Sequence, residues 1–342
     1  MSIAGFNAFS LPAGLQTWLF DYDWFALALV WGTLVFSACI TYRQTRDRQP
    51  GLRGFLRHCL PSGIVTHPSA RADFLFWLSR KIFMPLFVLP LAISAMTTGY
   101  AAYAGLSLIF GPPSHAGPPS TALLCLFTLS MLLAYDLSYY TYHYVAHHVP
   151  LIWELHKVHH SAEVLVGVTK DRVHPLEELL NRWWDGMIPG LTYGIWLFFA
   201  LNPVEVTVFG LSAYTIRGLL MMDVVRHTHL GMSYGPWLNQ VFLCPHYHQL
   251  HHSVDPRHYD RNFGLLFPFW DRMFGTLAVP APGQRFSFGL ADSEAAEYQS
   301  LLRLHVLPIL KIHAMVSAWL RRRTALAQVD ATLPRSDRAA NG

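Results

Sequence analysis

An uninterrupted apolar segment near the start of the chain limits the folds open to this sequence. Residues 24–42 contain no charged side chain, and their number is close to the ~20 residues that an α-helix needs to cross a bilayer. Only 13% of the 342 residues are charged, about half of the ~25% that is usual in soluble domains. The sequence therefore predicts an integral membrane protein built from helical spans.

Further apolar segments extend this prediction to an all-α bundle of about four to five membrane helices. Residues 82–110 are long enough to span with tilt, and Pro85 and Pro90 are expected to kink this segment. Residues 121–142 form another predicted span, and residues 187–201 and 204–222 a predicted helical hairpin in the membrane. Because no internal repeat or long polar linker is evident, we predict one domain over residues 1–342, with a loose tail from about 325 to 342.

The distribution of arginine and lysine predicts how the chain is oriented. Residues 1–42 contain neither, whereas residues 43–57 contain five arginines, and such residues mark the cytoplasmic side of a membrane protein. Three spans then deliver the chain after residue 142 to the cytoplasmic side, at the inner membrane if the source is bacterial. Residues 299–323 mix apolar and basic side chains, which favours a helix lying at the membrane interface.

Histidines are concentrated in the second half of the sequence, where 14 of the 19 lie between positions 143 and 258. They form one HxxxH pattern and two HxxHH patterns, and residues spaced by three or four share one face of a helix. Eight patterned imidazoles are too many for one ion, since about four ligands satisfy a structural zinc, so two metal ions are predicted. The predicted ligands are His143, His147, His156, His159, His160, His248, His251 and His252, with His227 as a ninth candidate.

Three acidic residues are candidates for orienting these histidines. A ligand imidazole commonly donates its second N–H to a carboxylate, and Asp136, Glu177 and Asp271 lie within or beside the histidine patterns. Helix capping and surface ion pairs are the alternative roles. His174 and His229 have no assigned role at this stage.

Several motifs in this region resemble the fatty acid hydroxylase superfamily, also called the sterol desaturase family. These motifs follow one another within residues 136–277, and they are most similar to those of the branch that contains alkylglycerol monooxygenase. The resemblance implies a membrane helical bundle capped by a cytosolic, histidine-bound di-iron centre, with the nine histidines above as ligands. The motifs are DLSYYTYHYVAHH (136–148), WELHKVHHS (153–161), RVHPLEE (172–178), HYHQLHHS (246–253), RNFG (261–264) and FWDRMFGTL (269–277).

The resemblance also implies an activity, namely O₂-dependent hydroxylation or desaturation of a lipid such as a sterol, a fatty acyl chain or an alkyl ether lipid. It implies two iron ions, although zinc could replace them in a purified sample. The lipid would enter from the bilayer. Electrons would come from a separate protein or reductant, because the sequence contains no haem, flavin or iron–sulfur motif.

Other classes of protein fit the sequence less well. A histidine-rich transition-metal transporter explains the spans and the imidazoles, but it predicts ionisable residues along several spans. A bis-histidine haem carrier would place its histidines inside the spans rather than just beyond their ends. Nucleic-acid binding is not expected, since the basic residues form no stripe with interleaved aromatics. Cys39, Cys59, Cys125 and Cys244 form no CxxC pair, so any metal is expected to bind through nitrogen and oxygen.

Overall fold

The computed structural model of the chain describes residues 24–44, 49–113, 119–200, 207–208, 211–212, 223–291 and 294–332. Regular structure in these ranges is almost entirely helical, which confirms the predicted all-α class. A short antiparallel pair joins Thr207–Val208 (β1) to Leu211–Ser212 (β2). The α-helices are α1 (Trp24–Gln44), α2 (Gly51–Cys59), α3 (Ser62–Val65), α4 (Pro68–Phe83), α5 (Ala95–Phe110), α6 (Thr121–His148), α7 (Pro150–His160), α8 (Pro175–Phe199), α9 (Asp223–Arg226), α10 (Pro245–His251), α11 (Phe269–Met273), α12 (Glu294–Glu297) and α13 (Leu301–Thr332).

Three stretches of the described chain are long and apolar enough to cross a membrane: Pro68–Phe110, Thr121–His148 and Leu301–Ala325. The chain is thus a multi-pass membrane protein, as predicted. The first stretch is interrupted by a π-helical turn over Met84–Val88 and a 3₁₀ turn over Leu89–Leu91. These turns contain Pro85 and Pro90 respectively, and a proline inside a helix removes one backbone hydrogen bond. The regular α-helix is therefore interrupted around both prolines.

The other predicted segments agree with the structure to different extents. α1 matches the first predicted span within two residues. α8 contains the first half of the predicted hairpin but begins twelve residues earlier, at Pro175. The second half, residues 204–222, lies largely outside the described residues, and its four described positions are extended rather than helical. That part of the hairpin prediction is wrong at β1 and β2.

α13 differs from expectation in two respects. It runs as one helix to Thr332, so the first residues of the predicted loose tail are helical, while residues 333–342 lie outside the described chain. Its stretch Leu301–Ala325 also has the length and composition of a membrane span. The interfacial placement that the basic residues favour stays a prediction.

α5 and α8 pack closely because glycines remove side chains from their interface. Gly186, Gly190 and Gly194 recur every fourth residue on α8, the small-residue spacing that lets membrane helices approach. A Cβ placed on Gly190 would lie 2.6 Å from the Cβ of Thr98 and 2.9 Å from the carbonyl oxygen of Ala95. This packing fixes α8 against the apolar stretch that contains α5.

A buried ion pair connects α4 to the segment between α7 and α8. The Arg172 guanidinium lies 2.6 Å from Asp73, and both side chains are fully buried. Arg172 also donates to the backbone carbonyl oxygens of Val158 and Tyr298 at 2.9 Å each. Because a buried charge is tolerated only when paired and hydrogen-bonded, this arginine fixes the position of α7, which carries three of the predicted ligands.

Candidate dimetal centre

The nine predicted ligand histidines converge where α6, α7 and the segments around α9 and α10 meet. They form two groups, and within each group the candidate ligand atoms all lie within 4.8 Å of one another. All but one of the nine side chains belong to buried residues. We name the groups cluster A (His143, His147, His156, His160 and His251) and cluster B (His159, His227, His248 and His252).

The two HxxHH patterns contribute to both clusters in a reciprocal way. In the pattern on α7, His156 and His160 belong to cluster A and His159 to cluster B. In the pattern at α10, His248 and His252 belong to cluster B, whereas His251 belongs to cluster A. Residues four apart therefore share a cluster, and the residue between them serves the other one.

The spacing of nitrogens within each cluster fits a shared cation. With metal–nitrogen bonds of about 2.0–2.1 Å, two imidazoles on one ion place their nitrogens roughly 3.0–3.4 Å apart. In cluster A, Nε2 of His160 lies 3.2 Å from Nε2 of His147 and 3.1 Å from Nε2 of His251. In cluster B the Nε2 separations are 3.2 Å for His159–His227, 2.8 Å for His227–His248 and 3.1 Å for His248–His252.

Acceptors hold the outer nitrogens of cluster A. Nδ1 of His143 donates to the carbonyl oxygen of Phe263 at 3.0 Å, and Nδ1 of His251 donates to that of Arg261 at 2.7 Å. A carbonyl can only accept, so Nδ1 carries the proton in both rings and Nε2 keeps its lone pair for a metal. The tautomer suited to metal binding is therefore fixed by the backbone of residues 261–263.

Carboxylates do the same for two more members of cluster A. Nδ1 of His156 lies 2.5 Å from Oε1 of Glu177, and both side chains are buried. Nδ1 of His147 lies 3.3 Å from Oδ1 of Asp260, whose side chain is half exposed. Glu177 thus contacts a ligand imidazole in the manner expected from the sequence, whereas Asp260 was not anticipated.

Asp136 and Asp271 contact backbone amides instead of an imidazole. Asp136 accepts from the N–H groups of Leu266 and Phe267 at 2.6 and 3.2 Å. Asp271 accepts from the N–H groups of Phe263 and Gly264, each at 2.8 Å. Both carboxylates bind the backbone of the loop 263–267, and this loop presents the carbonyl oxygen of Phe263 to His143 of cluster A. The two aspartates therefore act on the cluster through the loop.

Two residues outside the predicted site fix the same loop. Arg226 is 1% exposed, and its guanidinium donates to the carbonyl oxygens of Leu265 and Gly264 at 2.7 and 3.2 Å. Asn262 has a positive φ of 58°, which Asn tolerates better than most residues. Its amide donates to the carbonyl oxygen of Tyr247 at 3.1 Å. Arg226 directly precedes His227, and Asn262 belongs to the RNFG motif, but the spacing of these residues gives no sign of the contacts.

The outer nitrogens of cluster B have different surroundings. Nδ1 of His159 and Nδ1 of His252 are buried and have no hydrogen-bond partner among the described residues. Nδ1 of His248 lies 3.3 Å from the guanidinium of Arg226, which is a donor and not an acceptor. Four imidazoles of cluster A therefore have a hydrogen-bond acceptor at Nδ1, and fewer such acceptors surround cluster B among the described residues.

Burial keeps several of these imidazoles neutral. It lowers the pKa of His251 to about 3, and the neighbouring His156 adds to this effect. Burial, with the adjacent imidazoles, also holds the pKa of His160 and His252 well below 6.5. Since a metal binds the neutral form of histidine, these three imidazoles are in the form that binds metal at neutral pH.

Unpartnered nitrogens in cluster A fit a bound ion. Nε2 of His143 and Nε2 of His156 are buried and have no hydrogen-bond partner among the described residues, although their Nδ1 atoms do. Buried polar atoms of this kind are rare and require an explanation. A transition metal that prefers imidazole nitrogen, such as iron or zinc, satisfies both atoms.

A cavity of about 700 Å³ opens onto both clusters. His143 and His156 of cluster A and His159 and His227 of cluster B line it. Its volume lies in the range of roughly 300–1,000 Å³ that small-molecule sites occupy. A substrate in this cavity would therefore reach both metal positions.

His174 and His229 lie outside both clusters. His174 precedes α8, where Nδ1 accepts from the Leu176 N–H at 3.2 Å and Nε2 donates to the carbonyl oxygen of His305 at 2.9 Å. Nε2 of His229 donates to the carbonyl oxygen of His58 at 2.7 Å. These contacts give both residues structural roles in helix capping and loop packing.

Residues 128–276 match the family model described as fatty acid hydroxylase. The matched segment contains all nine histidines of the two clusters. No solved structure shows a significant match to the chain.

Several curated proteins are similar to part of the chain. Alkylglycerol monooxygenase from Caenorhabditis elegans is 29% identical over 189 residues, which cover 55% of this chain and 33% of that protein. Alkylglycerol monooxygenase from Xenopus tropicalis is 31% identical over 145 residues, or 42% and 29% of the two chains. Ornithine lipid hydroxylase OlsE from Rhizobium tropici is 26% identical over 189 residues, or 55% and 53%. The chain thus spans about a third of the first two proteins and about half of the third.

Proposed function

Since the chain belongs to the fatty acid hydroxylase family, we propose that it is a membrane-bound, O₂-dependent lipid hydroxylase that uses two iron ions. The observation that carries the proposal is the division of nine histidines into two clusters that line one cavity. Imidazole binds iron well, and cluster A alone has more donors than the four that a structural zinc requires.

The reaction defines what the protein must supply. Hydroxylation converts a C–H bond and O₂ into C–OH and water, and it consumes two electrons and two protons. Bound iron would supply the O₂ chemistry that side chains cannot carry out. The electrons come from a separate electron-transfer protein or reductant in this proposal, because the sequence has no motif for a redox cofactor of its own.

The residues of the chain hold and orient the centre. Cluster A and cluster B would each bind one ion through Nε2 atoms. Glu177 keeps the proton of His156 on Nδ1, and the carbonyl oxygen of Phe263 does so for His143. Asp136 and Asp271 fix the loop that presents this carbonyl. Rigid outer contacts of this kind set ring orientation and ligand basicity.

The proposed substrate is a lipid that enters from the bilayer. Leu89 and Ile93, from the apolar stretch Pro68–Phe110, line the same cavity as the histidines. The five arginines at 43–57 support a cytoplasmic position for the histidine site. Both kinds of relative named above are called a monooxygenase or a hydroxylase, which favours oxygen insertion over desaturation.

Metal analysis and isotope labelling test the proposal together. Protein loaded anaerobically with Fe(II) should contain close to two ions per chain, and ¹⁸O₂ should add one labelled oxygen to a lipid of the native membrane extract. A product that has lost two hydrogens without label would indicate desaturation instead. A folded protein that retains no more than one ion after loading would contradict the paired centre.

A metal transporter with a histidine-rich site receives less support. Transport needs polar or ionisable groups along the spans, yet Asp136 is the single acidic or basic residue of α6 before its histidines, and α5 has none. The Asp136 carboxylate already accepts two backbone amides. Radioactive metal uptake into vesicles that contain the protein would nevertheless favour this alternative.

A further inference from the structure

The cavity beside the two clusters has polar as well as apolar walls. Leu89 and Ile93 provide apolar surface, whereas Arg80 and Arg182 line the same space with guanidinium groups. A purely apolar lipid gains nothing from charged walls, because burying unpaired charge is costly. A cavity of this composition fits an amphiphile that has a polar headgroup.

Two arginines in this cavity share a single carboxylate. Oε1 of Glu178 lies 2.8 Å from Arg182, and Oε2 lies 3.4 Å from Arg80. Arg80 makes one further contact, a 3.2 Å hydrogen bond to the carbonyl oxygen of Val173. Each guanidinium carries five N–H donors, so this group has a net charge of +1 and donors to spare.

Arg182, the arginine on α8, also has a buried N–H donor without an acceptor among the described residues. Nε of Arg182 and Oδ1 of the adjacent Asn181 are buried and have no hydrogen-bond partner among the described residues. The side chain of Arg80 is 13% exposed and that of Glu178 14%, whereas that of Arg182 is 40% exposed. Guanidinium donors bind an oxyanion through charge-assisted hydrogen bonds, and a pair of them suits carboxylate or phosphate.

The other carboxylates of the cavity wall each have at least one partner, although Oε2 of Glu177 is buried without one among the described residues. Glu177 accepts from His156, and Asp171 lies 3.1 Å from the ammonium of Lys170. Asp185 accepts from the hydroxyl of Ser138 at 2.9 Å. Beside Glu178, however, two guanidinium groups share one carboxylate and keep unused N–H donors, so this part of the wall favours an anionic ligand group over a cationic one.

The arginine pair lies close to cluster A. Glu178 directly follows Glu177, whose carboxylate contacts His156. Arg182 lies five residues beyond Glu177, which corresponds to about 7.5 Å along the axis of α8. Along α8, an anion held by the arginines is thus roughly one to one and a half helical turns from Glu177, the residue that contacts His156 of cluster A.

We infer that Arg80 and Arg182 bind the oxyanion of a lipid headgroup, a carboxylate or a phosphate, so that oxidation takes place within a few bonds of that headgroup. The inference rests on the proposed function and makes it more specific. The cavity accommodates the headgroup and the first part of the chain, while the remaining chain extends past Leu89 and Ile93 towards the bilayer.

Binding of simple amphiphiles tests the site without turnover. Iron-loaded protein in nonionic detergent is titrated with dodecyl phosphate, dodecanoate, dodecanol and dodecyltrimethylammonium, with tryptophan fluorescence as the readout. At least one anion should bind about tenfold more tightly than dodecanol, as expected for charge-assisted hydrogen bonds. The preferred anion identifies the headgroup as a phosphate or a carboxylate. Equal binding of all four probes would overturn the inference.

Variants of opposite sign separate anion binding from a structural effect. Arg80→Gln and Arg182→Gln should each lower the anion preference about tenfold, whereas Glu178→Gln, which removes the competing carboxylate, should raise it. Arg71→Gln is the matched control, since Arg71 lies on α4 but does not line the cavity. An anion preference that all three cavity variants leave intact would overturn the assignment.

The outcome remains distinguishable from failure of the proposed function. Loss of anion preference in the arginine variants supports the headgroup site even if no oxygen insertion is found. Labelled oxygen at a distal chain carbon would support a hydroxylase but overturn the headgroup-proximal chemistry inferred here.

Discussion

His159 and His160 are adjacent in the sequence, yet their imidazoles belong to different clusters, with ring planes at 90° and centroids 5.7 Å apart. The same division separates His251 from His252. Consecutive helical residues project about 100° apart, so one helix can face two ions that lie on either side of it. Each HxxHH pattern would therefore supply ligands to both ions.

The first prediction concerns single ligands. His159→Ala should weaken cluster B and His160→Ala cluster A, so each variant should retain about one ion per chain after dialysis against a mild chelator and lose turnover. Metal analysis by mass spectrometry provides the measurement. The control is His313→Ala, an exposed position on α13, and equal metal loss in all three variants would contradict the assignment.

The second prediction concerns the carboxylate behind cluster A. Glu177→Gln removes the charged acceptor of the His156 N–H, and such changes typically lower metal affinity by about 10–100-fold. Competition with a coloured chelator measures this affinity. Glu297→Gln should have no effect, because that carboxylate is half exposed and pairs only with Lys311. Unchanged affinity in the Glu177 variant would show that the contact does not support the metal.

The third prediction is that the two ions leave at different rates. Acceptors hold four outer nitrogens of cluster A, whereas His159 and His252 in cluster B have none among the described residues. Outer-nitrogen acceptors raise ligand basicity, so cluster B should release its ion first. Chelation of the wild type should be biphasic, and the fast phase should be missing from His159→Ala. A single phase for two ions would indicate equivalent sites.

The fourth prediction is a dependence of metal-free stability on pH. Burial lowers the pKa of His251 to about 3, and that of His160 well below 6.5, while an unfolded histidine titrates near 6.5. Below about pH 6.5 these histidines bind protons in the unfolded chain but not in the folded one, so the free energy of unfolding decreases as the pH falls towards 3. At pH 5.5 each such histidine lowers the free energy of unfolding by about 1 kcal/mol.

Thermal unfolding of metal-free protein in detergent measures this effect. The melting temperature should decline between pH 7.5 and 5.5, and bound metal should shift the decline to lower pH, since it competes with protons for the same nitrogens. A melting temperature that does not change over this range would contradict the neutral, buried state of the imidazoles.

The fifth prediction concerns the glycine interface between α5 and α8. Gly190→Ala places a methyl group 2.6 Å from the Cβ of Thr98, and overpacking of this kind costs about 1–3 kcal/mol. Gly105→Ala is the matched control on α5, because nothing lies within 4 Å of the added carbon. Its higher helix propensity should raise stability by up to about 1 kcal/mol. Equal melting temperatures for both variants would argue against close packing.

The candidate ligands could be predicted from helical spacing in the sequence. Residues three and four apart share a helix face, so the grouping around His143, His156 and His248 followed from the patterns alone, and His227 was a ninth candidate from its place after the predicted hairpin. The division into clusters did not follow, because it depends on where α7 and α10 lie relative to each other. That arrangement is set by tertiary contacts such as those of Arg172.

The surroundings of the ligands were predictable only in part. Glu177 contacts His156 as expected, from the first turn of α8. Asp136 and Asp271 bind a loop whose shape depends on Asn262 in a left-handed conformation, and no residue spacing encodes such a loop. The fold was limited in the same way, because hydropathy located the spans but did not indicate the extended pair at β1 and β2.

The reciprocal use of the two HxxHH patterns has a consequence for synthesis on the ribosome. Cluster A lacks its fifth histidine until His251 has emerged, and cluster B is incomplete until His248 and His252 have emerged. Four histidines of cluster A precede position 161, whereas cluster B gains two of its four histidines only at positions 248 and 252. The complete pair of sites is therefore assembled late in synthesis of the described chain.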